Sequence, residues 1–260
     1  MKRSALLLVM FALSSIAISQ TKISVGTVIP VQLSSSVDVR KAKPGQTITA
    51  RVAQDVPLYN GGSIKAGSRV MGEILTVTQA RGSQPATLTF SFDKVEMNGQ
   101  VLPIVTNLRA LASPLEVQSS QTQVSGDDRG STPPWAETVT LIGGDVVYRE
   151  TGKVNNGLDE VGKSVYAGGW GVLSRVSASP EGRCRGALGA GDQPQALWVF
   201  SHNACGVYGY NATIVHSGRT NPEGTIVLAL ADHDFVLSNG SALLLRVNDA
   251  QVAEKQSASK

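Results

Sequence analysis

Residues Gly157 to Ser164 fit the spacing G-x-x-x-x-G-K-S, in which backbone amides cradle a phosphate and a lysine adds charge. Their surroundings point elsewhere. Residues 149–153 are polar where a buried strand should precede the loop, and residues 165–170 start no helix. Asp159 and Glu160 also put negative charge where a phosphate needs positive potential. Three histidines, His202, His216 and His233, lie in the C-terminal part, and Asp232 and Asp234 flank the last of them. Neutral imidazoles with a carboxylate can hold zinc with an open coordination position, so these three are the candidate metal ligands. Their spacing matches no pair on one helix face or one strand, and H-E-x-x-H and G-x-S-x-G are both absent. Structural histidines, solvated or hydrogen-bonded, are therefore the default, and no catalytic residue or cofactor is assigned.

Cys184 and Cys205 are the only cysteines. In an exported chain an even count predicts one bridge, and closing this loop would stabilise the fold by roughly 3 kcal/mol. A metal site is the alternative, but neither cysteine has a second ligand at zinc-site spacing. Trp135, Trp170, Trp198, Tyr148, Tyr166, Tyr208 and Tyr210 could form a sugar-stacking platform. In a chain with only 5% aromatic residues they are expected to anchor the core of the second part instead. Tyr208 and Tyr210 alternate with Gly209 and would share one strand face. Arg40, Lys41 and Lys43 make a small basic turn. Asn211 and Asn239 each open an N-x-S/T sequon, relevant only in a glycosylating host.

The elements that must position these groups are short strands. The chain has 260 residues, 42% hydrophobic and 17% charged, with 27 glycines, which excludes a disordered or coiled-coil protein and favours turns over long helices. Lys2 and Arg3, an apolar run of about ten residues, and small residues at Ala17 and Ser19 read as a signal peptide over 1–19, leaving Gln20 first. The run is too short for a membrane span, which needs about 20 residues, and no later segment reaches that length. Without Lys2 and Arg3 the chain carries 21 basic and 20 acidic residues. Near-neutral charge excludes wholesale binding of nucleic acid. The balance is uneven, with 10 basic and 5 acidic side chains in 20–112 against 11 and 15 in 113–260.

Residues 20–112 read as a β-barrel or sandwich. Thr27–Leu33 is extended, with Pro30 at an edge or bulge. Ile48, Ala50 and Val52 alternate with polar residues. Leu88, Phe90 and Phe92 alternate too, and the apolar phase resumes at Val95 and Met97, which predicts a bulge near Asp93–Lys94. Asn98–Gly99 between two such runs predicts a two-residue hairpin. Residues 113–135, polar and rich in Ser and Gln, read as a linker or long loop. Residues 136–248 form a second, Gly-rich, disulfide-tied β region, with one short helix near Ala136–Leu141. Its strands are expected at Ala196–Ser201, Ala212–His216, Thr225–Ala231 and Ala242–Val247. The last of these is expected to return to the first barrel, and 249–260 is a frayed tail. The fold class is mainly β.

Val25 to Pro30, Pro44-Gly45-Gln46 before Ala50-Arg51-Val52, Asp55-Val56 and the run Ile64 to Gly72 carry a resemblance. Residues 25–105 resemble the periplasmic β-barrel domain of the TrbI-type conjugal-transfer proteins of type IV secretion. The resemblance implies a β-barrel in a bacterial envelope, with Gly67 serving a tight turn and Gly72 a close strand crossing. That family's membrane helix, Pro-rich spacer and outer-membrane helical pair have no counterpart here, so no channel role is implied. The reading is an exported periplasmic, outer-envelope or extracellular β protein with a structural or interaction role. Its partner would be another envelope protein or a surface glycan. The alternative is a carbohydrate-binding module or metal-dependent hydrolase in the C-terminal region.

Overall fold

A computed structural model describes residues 23–59, 61–122, 138–165, 171–180 and 193–248. The fold is mainly β. Nine strands come first: β1 (Val28–Leu33), β2 (Val37–Asp38), β3 (Thr47–Val52), β4 (Val56–Pro57), β5 (Ser63–Ile64), β6 (Arg69–Thr78), β7 (Ala86–Met97), β8 (Gln100–Pro103) and β9 (Thr106–Ala112). After helix α1 (Pro114–Ser119) come β10 (Thr138–Thr140), β11 (Val146–Tyr148), β12 (Lys153–Asn156), β13 (Asp159–Ser164), β14 (Val172–Ser174) and β15 (Gln195–Ala196). The chain closes with β16 (Gly206–Tyr208), β17 (Thr213–Ser217), β18 (Ile226–Leu230), β19 (Val236–Leu237) and β20 (Ala242–Val247).

Ten strands make one sheet in the order β16-β9-β20-β1-β3-β6-β7-β18-β17, with β8 also on β7. Strands β10 to β15 form a six-stranded meander in sequence order. The large sheet is not a closed barrel. Its end strands β16 and β17 come into contact without a ladder. The physical reason lies in β16, which pairs with β9 for three residues and then turns away at Gly209, where φ is +68°.

Strand β20 sits between β1 and β9, although it is the last of the described strands in sequence. These three strands are buried on both faces, which explains their near-continuous apolar sequence. Ile29, Val31, Leu243, Leu245 and Leu108 face one core inside the curved large sheet. Val28, Ala242, Leu244, Ala110 and Ala112 face a second core against Val147, Val154, Val172 and Phe200. The body of the large sheet and the six-stranded meander thus pack on opposite sides of one shared wall.

Local chemistry explains the edges and irregularities of this scaffold. Pro30 occupies the end of the β1–β3 ladder, where its carbonyl accepts from Ala53 N–H and its missing donor is not needed. In β7 the register slips between Met71↔Lys94 and Gly72↔Phe92, which makes Asp93 the extra residue and flips the buried phase from Phe92 to Val95. Gly72 stands at this slip, and a Cβ there would meet Ser91 O at 1.7 Å. Asn98 (φ 52°) and Gly99 (φ 75°) make the two-residue turn from β7 to β8.

The polar segment after β9 does not begin as a linker. Ser113 caps α1, with its hydroxyl accepting from Glu116 N–H, and Val117 anchors the helix in the second core. The short helix expected near Ala136–Leu141 is instead strand β10, whose Thr-Val-Thr sequence is β-branched throughout. The strand expected over Ala196–Ser201 stops at Ala196, because Trp198 takes a positive φ of 54°. The signal peptide, Trp135, Tyr166, Trp170, Cys184 and the tail 249–260 lie outside the described residues.

Two buried glutamines join the halves. Gln54 Oε1 accepts from Val172 N–H (3.1 Å) and Trp198 N–H (2.8 Å), while its Nε2 donates to Val172 O (3.0 Å). In the other direction, Gln195 Oε1 accepts from Val28 N–H at 3.1 Å, on the stretch of β1 that β3 does not reach. Replacing Gln54 by Met keeps the volume and orphans three backbone groups. Urea denaturation should show a loss of roughly 3–5 kcal/mol. Gly72→Ala should cost about 3 kcal/mol or more in the same assay, since the added methyl would overlap a backbone carbonyl that the ladder holds in place.

Candidate functional site

A buried polar cluster surrounds His202. It begins with a bulge in β9: Leu244 pairs with Ala110 and Leu245 with Leu108, so Arg109 is the extra residue. A bulge re-aims the side chain it carries. Arg109, fully buried, reaches the side of the second core, where Nε donates to Ala204 O (2.9 Å) and Nη2 to Ser177 O and His202 O (both 3.4 Å). Burial pushes its guanidinium down to about 10, and the positive field of Arg246 acts in the same direction.

Asp145 grips His202 from the other side. The turn from Leu141 to Asp145 lies along residues 199–201, with Ile142 N–H donating to Val199 O and Ser201 N–H to Ile142 O. Gly143 makes this fit possible: its φ is +108°, and a Cβ would come within 2.8 Å of Ser201 Cβ. The Asp145 carboxylate is fully buried. It accepts from His202 N–H (2.7 Å) and Asn156 Nδ2 (2.9 Å), and both its oxygens lie within 3.0 Å of His202 Nδ1. A carboxylate only accepts, so Nδ1 is the donor in this pair. The imidazole side chain is 18% exposed. Burial pushes the Asp145 carboxyl up, but the hydrogen bonds from His202 and Asn156 outweigh it and hold the group below the usual carboxylate range.

This arrangement can orient an imidazole, which is half of what an acyl-transfer triad needs. The nearby Ser201 does not complete it. Its Oγ accepts from Asp145 N–H (3.2 Å) and donates to Asn203 Oδ1 (2.9 Å). The other two candidate ligands have separate surroundings: His216, on β17, has Nε2 3.1 Å from Pro222 O, and His233 is exposed in the turn after β18. Among the described residues no three His, Cys, Asp or Glu side chains form a group that could hold a metal ion.

The remaining sequence candidates are also placed. The phosphate-loop pattern is the β12–β13 hairpin, with Asp159 to Ser164 extended beside β12 and Gly162 to Ser164 also paired with β14, so its amides do not form a cradle. Tyr208 and Tyr210 do not share a strand face, because Gly209 turns the chain between them. Tyr208 OH accepts from Cys205 N–H, while Tyr210 OH contacts Ser241 Oγ and accepts from Ser238 N–H. Trp198 is buried in the second core. Arg40 pairs with Asp38 at 2.9 Å in its own turn. Cys205 is buried, and its expected partner Cys184 falls outside the described residues.

Sequence reasoning missed Arg109 and Asp145. A charged residue inside the apolar run 108–112 was one available signal, since Arg there must be buried. Gly143-Gly144 immediately before Asp145 was the other. Comparison with known proteins finds no matching family model, no matching curated protein and no matching solved structure.

Asp145→Asn should cost about 1.5–3 kcal/mol at pH 7, because the His202 N–H and ring would lose a charged acceptor inside the fold. The pH dependence has a fixed sign. The folded-state pKa of Asp145 lies below its unfolded value of about 3.9, so its contribution is complete above that value and is lost as pH falls through the folded pKa. Unfolding free energies measured between pH 6 and 2 should therefore fall less steeply for Asp145→Asn than for the parent chain.

Proposed function

We propose that this chain is an exported β protein of a bacterial envelope with a structural or interaction role. One observation carries the reading: the side chains best suited to chemistry are bound into the scaffold. Asp145 holds the backbone and ring of His202, Ser201 is turned to Asn203, and Arg109 ties the loops at 177, 202 and 204 to β9. The leader-like N-terminus supports export, and the resemblance of residues 25–105 to the TrbI-type domain supports an envelope setting. The partner is another envelope protein or a surface glycan. A Cys184–Cys205 bridge belongs to the same reading, as an oxidising compartment permits it.

A second reading, a hydrolase or metal-binding role in the C-terminal region, is favoured by one feature. A buried carboxylate on Nδ1 with the ring partly exposed is also how proteins orient a metal-ligating histidine. Metal analysis separates the two: stoichiometric zinc that disappears in His202→Ala would replace the structural reading.

Expression of the full chain in a bacterium, followed by fractionation and N-terminal sequencing, tests the leading proposal. The expected product lies in the periplasm, envelope or medium, begins at Gln20 and has both cysteines blocked to alkylation without reductant. Recovery of the unprocessed chain in the cytoplasm would overturn the proposal.

A further inference from the structure

The outer face of the large sheet carries a charge arrangement that the scaffold does not explain. Arg51 on β3 stands directly opposite Arg69 on β6. Both side chains point away from the core, since their neighbours Ala50, Val52 and Val70 are the buried ones. The ladder bonds on either side run through the even-numbered residues of β3, as Val52 N–H donates to Ser68 O and Gly67 N–H to Val52 O. Arg51 and Arg69 are therefore a non-hydrogen-bonded pair, the closer of the two antiparallel arrangements, with Cβ atoms about 4.5–5.5 Å apart. Like charges in this position destabilise a sheet.

Only part of that charge is answered. Arg69 Nε donates to Glu96 Oε2 at 2.8 Å. Arg51 donates to the neutral Gly67 O at 3.3 Å and has no carboxylate partner among the described residues. The same residues line an open cleft of about 440 Å³, together with Ser68, Asn98 and Gly99. That volume falls in the range of small-molecule sites, about 300–1,000 Å³. Arg51 and Arg69 line it together with Asn98 and Gly99 of the β7–β8 turn. The lining has no aromatic or large aliphatic residue, so recognition there is by charge and hydrogen bonds.

We propose that this cleft binds the acidic group of a glycan, a uronate carboxylate or a sugar phosphate, between Arg51 and Arg69. A planar guanidinium pairs with either oxyanion through two parallel N–H donors. Asn98 and the Ser68 hydroxyl are placed to meet the sugar hydroxyls. Glu96 competes with the ligand for Arg69, which makes it a determinant of affinity and not a contact that helps binding. The inference rests on the envelope reading only for the source of the glycan.

Calorimetric titration of the purified chain with digalacturonate, glucose 1-phosphate and neutral digalactose tests it. One or both acidic probes should bind saturably, the better one identifying the source, and digalactose should not bind. Arg51→Gln and Arg69→Gln should each weaken binding about 10-fold while leaving the melting temperature unchanged or raised. Glu96→Gln should strengthen binding about 3-fold or more, by freeing Arg69. Arg81→Gln, an exposed charge outside the cleft, should have no effect. Absence of binding by both acids, equal binding of the neutral sugar, or a Glu96→Gln variant that binds no better would overturn the inference. Failure here leaves the localisation result standing, and a cytoplasmic location would leave the binding result standing.

Discussion

The wall formed by β9, β20 and β1 is the constraint on which the other elements depend. Its strands must be apolar on both faces, because each face closes a separate core. Leu243, Leu244 and Leu245 alternate between the two cores, and burying each contributes about 1.5–3 kcal/mol. A strand that serves two cores cannot move or change register without opening both. This couples the curved sheet to the meander more tightly than a polar stretch between them in the sequence would suggest. It also puts β20, the last of the described strands, between β1 and β9, so the large sheet is complete only when residues more than 200 positions apart have paired.

A wall of this kind leaves backbone groups stranded where strands end or turn, and the buried polar residues answer that problem. Gln195 supplies an acceptor to Val28 where β3 has stopped, and Gln54 serves three groups of β14 and Trp198. Gly171, with φ +78°, leaves the space that Gln54 needs, since a Cβ there would sit 3.0 Å from its Oε1. Arg109 plays the same part on a larger scale: one bulge turns a cation toward three carbonyls of neighbouring loops. Each buried donor or acceptor is expensive to leave unmet, so such clasps select one docking of the two halves over nearby alternatives.

The same logic separates the two polar regions of the molecule. Around His202 the hydrogen bonds close on one another, and the groups that could react are held by the backbone and by their neighbours. On the outer face near Arg51 and Arg69 the charges are exposed, adjacent and only partly balanced by Glu96. A satisfied buried network stabilises one conformation, whereas a partly balanced exposed pair has capacity left for an external group. The chemistry of a ligand is thus better matched to the outer surface than to the interior.

Reading the residues in order was enough for features whose cause is local. Alternation through Leu88, Phe90 and Phe92 with a phase change before Val95 located the bulge, and Asn98–Gly99 located its hairpin. Period-two burial and positive φ are properties of a few adjacent residues, so they are written in the chain itself. Failures came where distant partners decide. Trp198 ended a strand because Gln54, 144 residues away, holds its N–H, and Gly209 separated two tyrosines that alternation had put together. Arg109 and Asp145 meet around His202 through contacts 93 and 57 residues apart in sequence. Composition and local pattern determined a mainly β chain and many of its turns. Strand order, the open path of the large sheet and the choice of buried polar groups were decided by tertiary structure, because each depends on which backbone groups remain unpaired once the wall has formed.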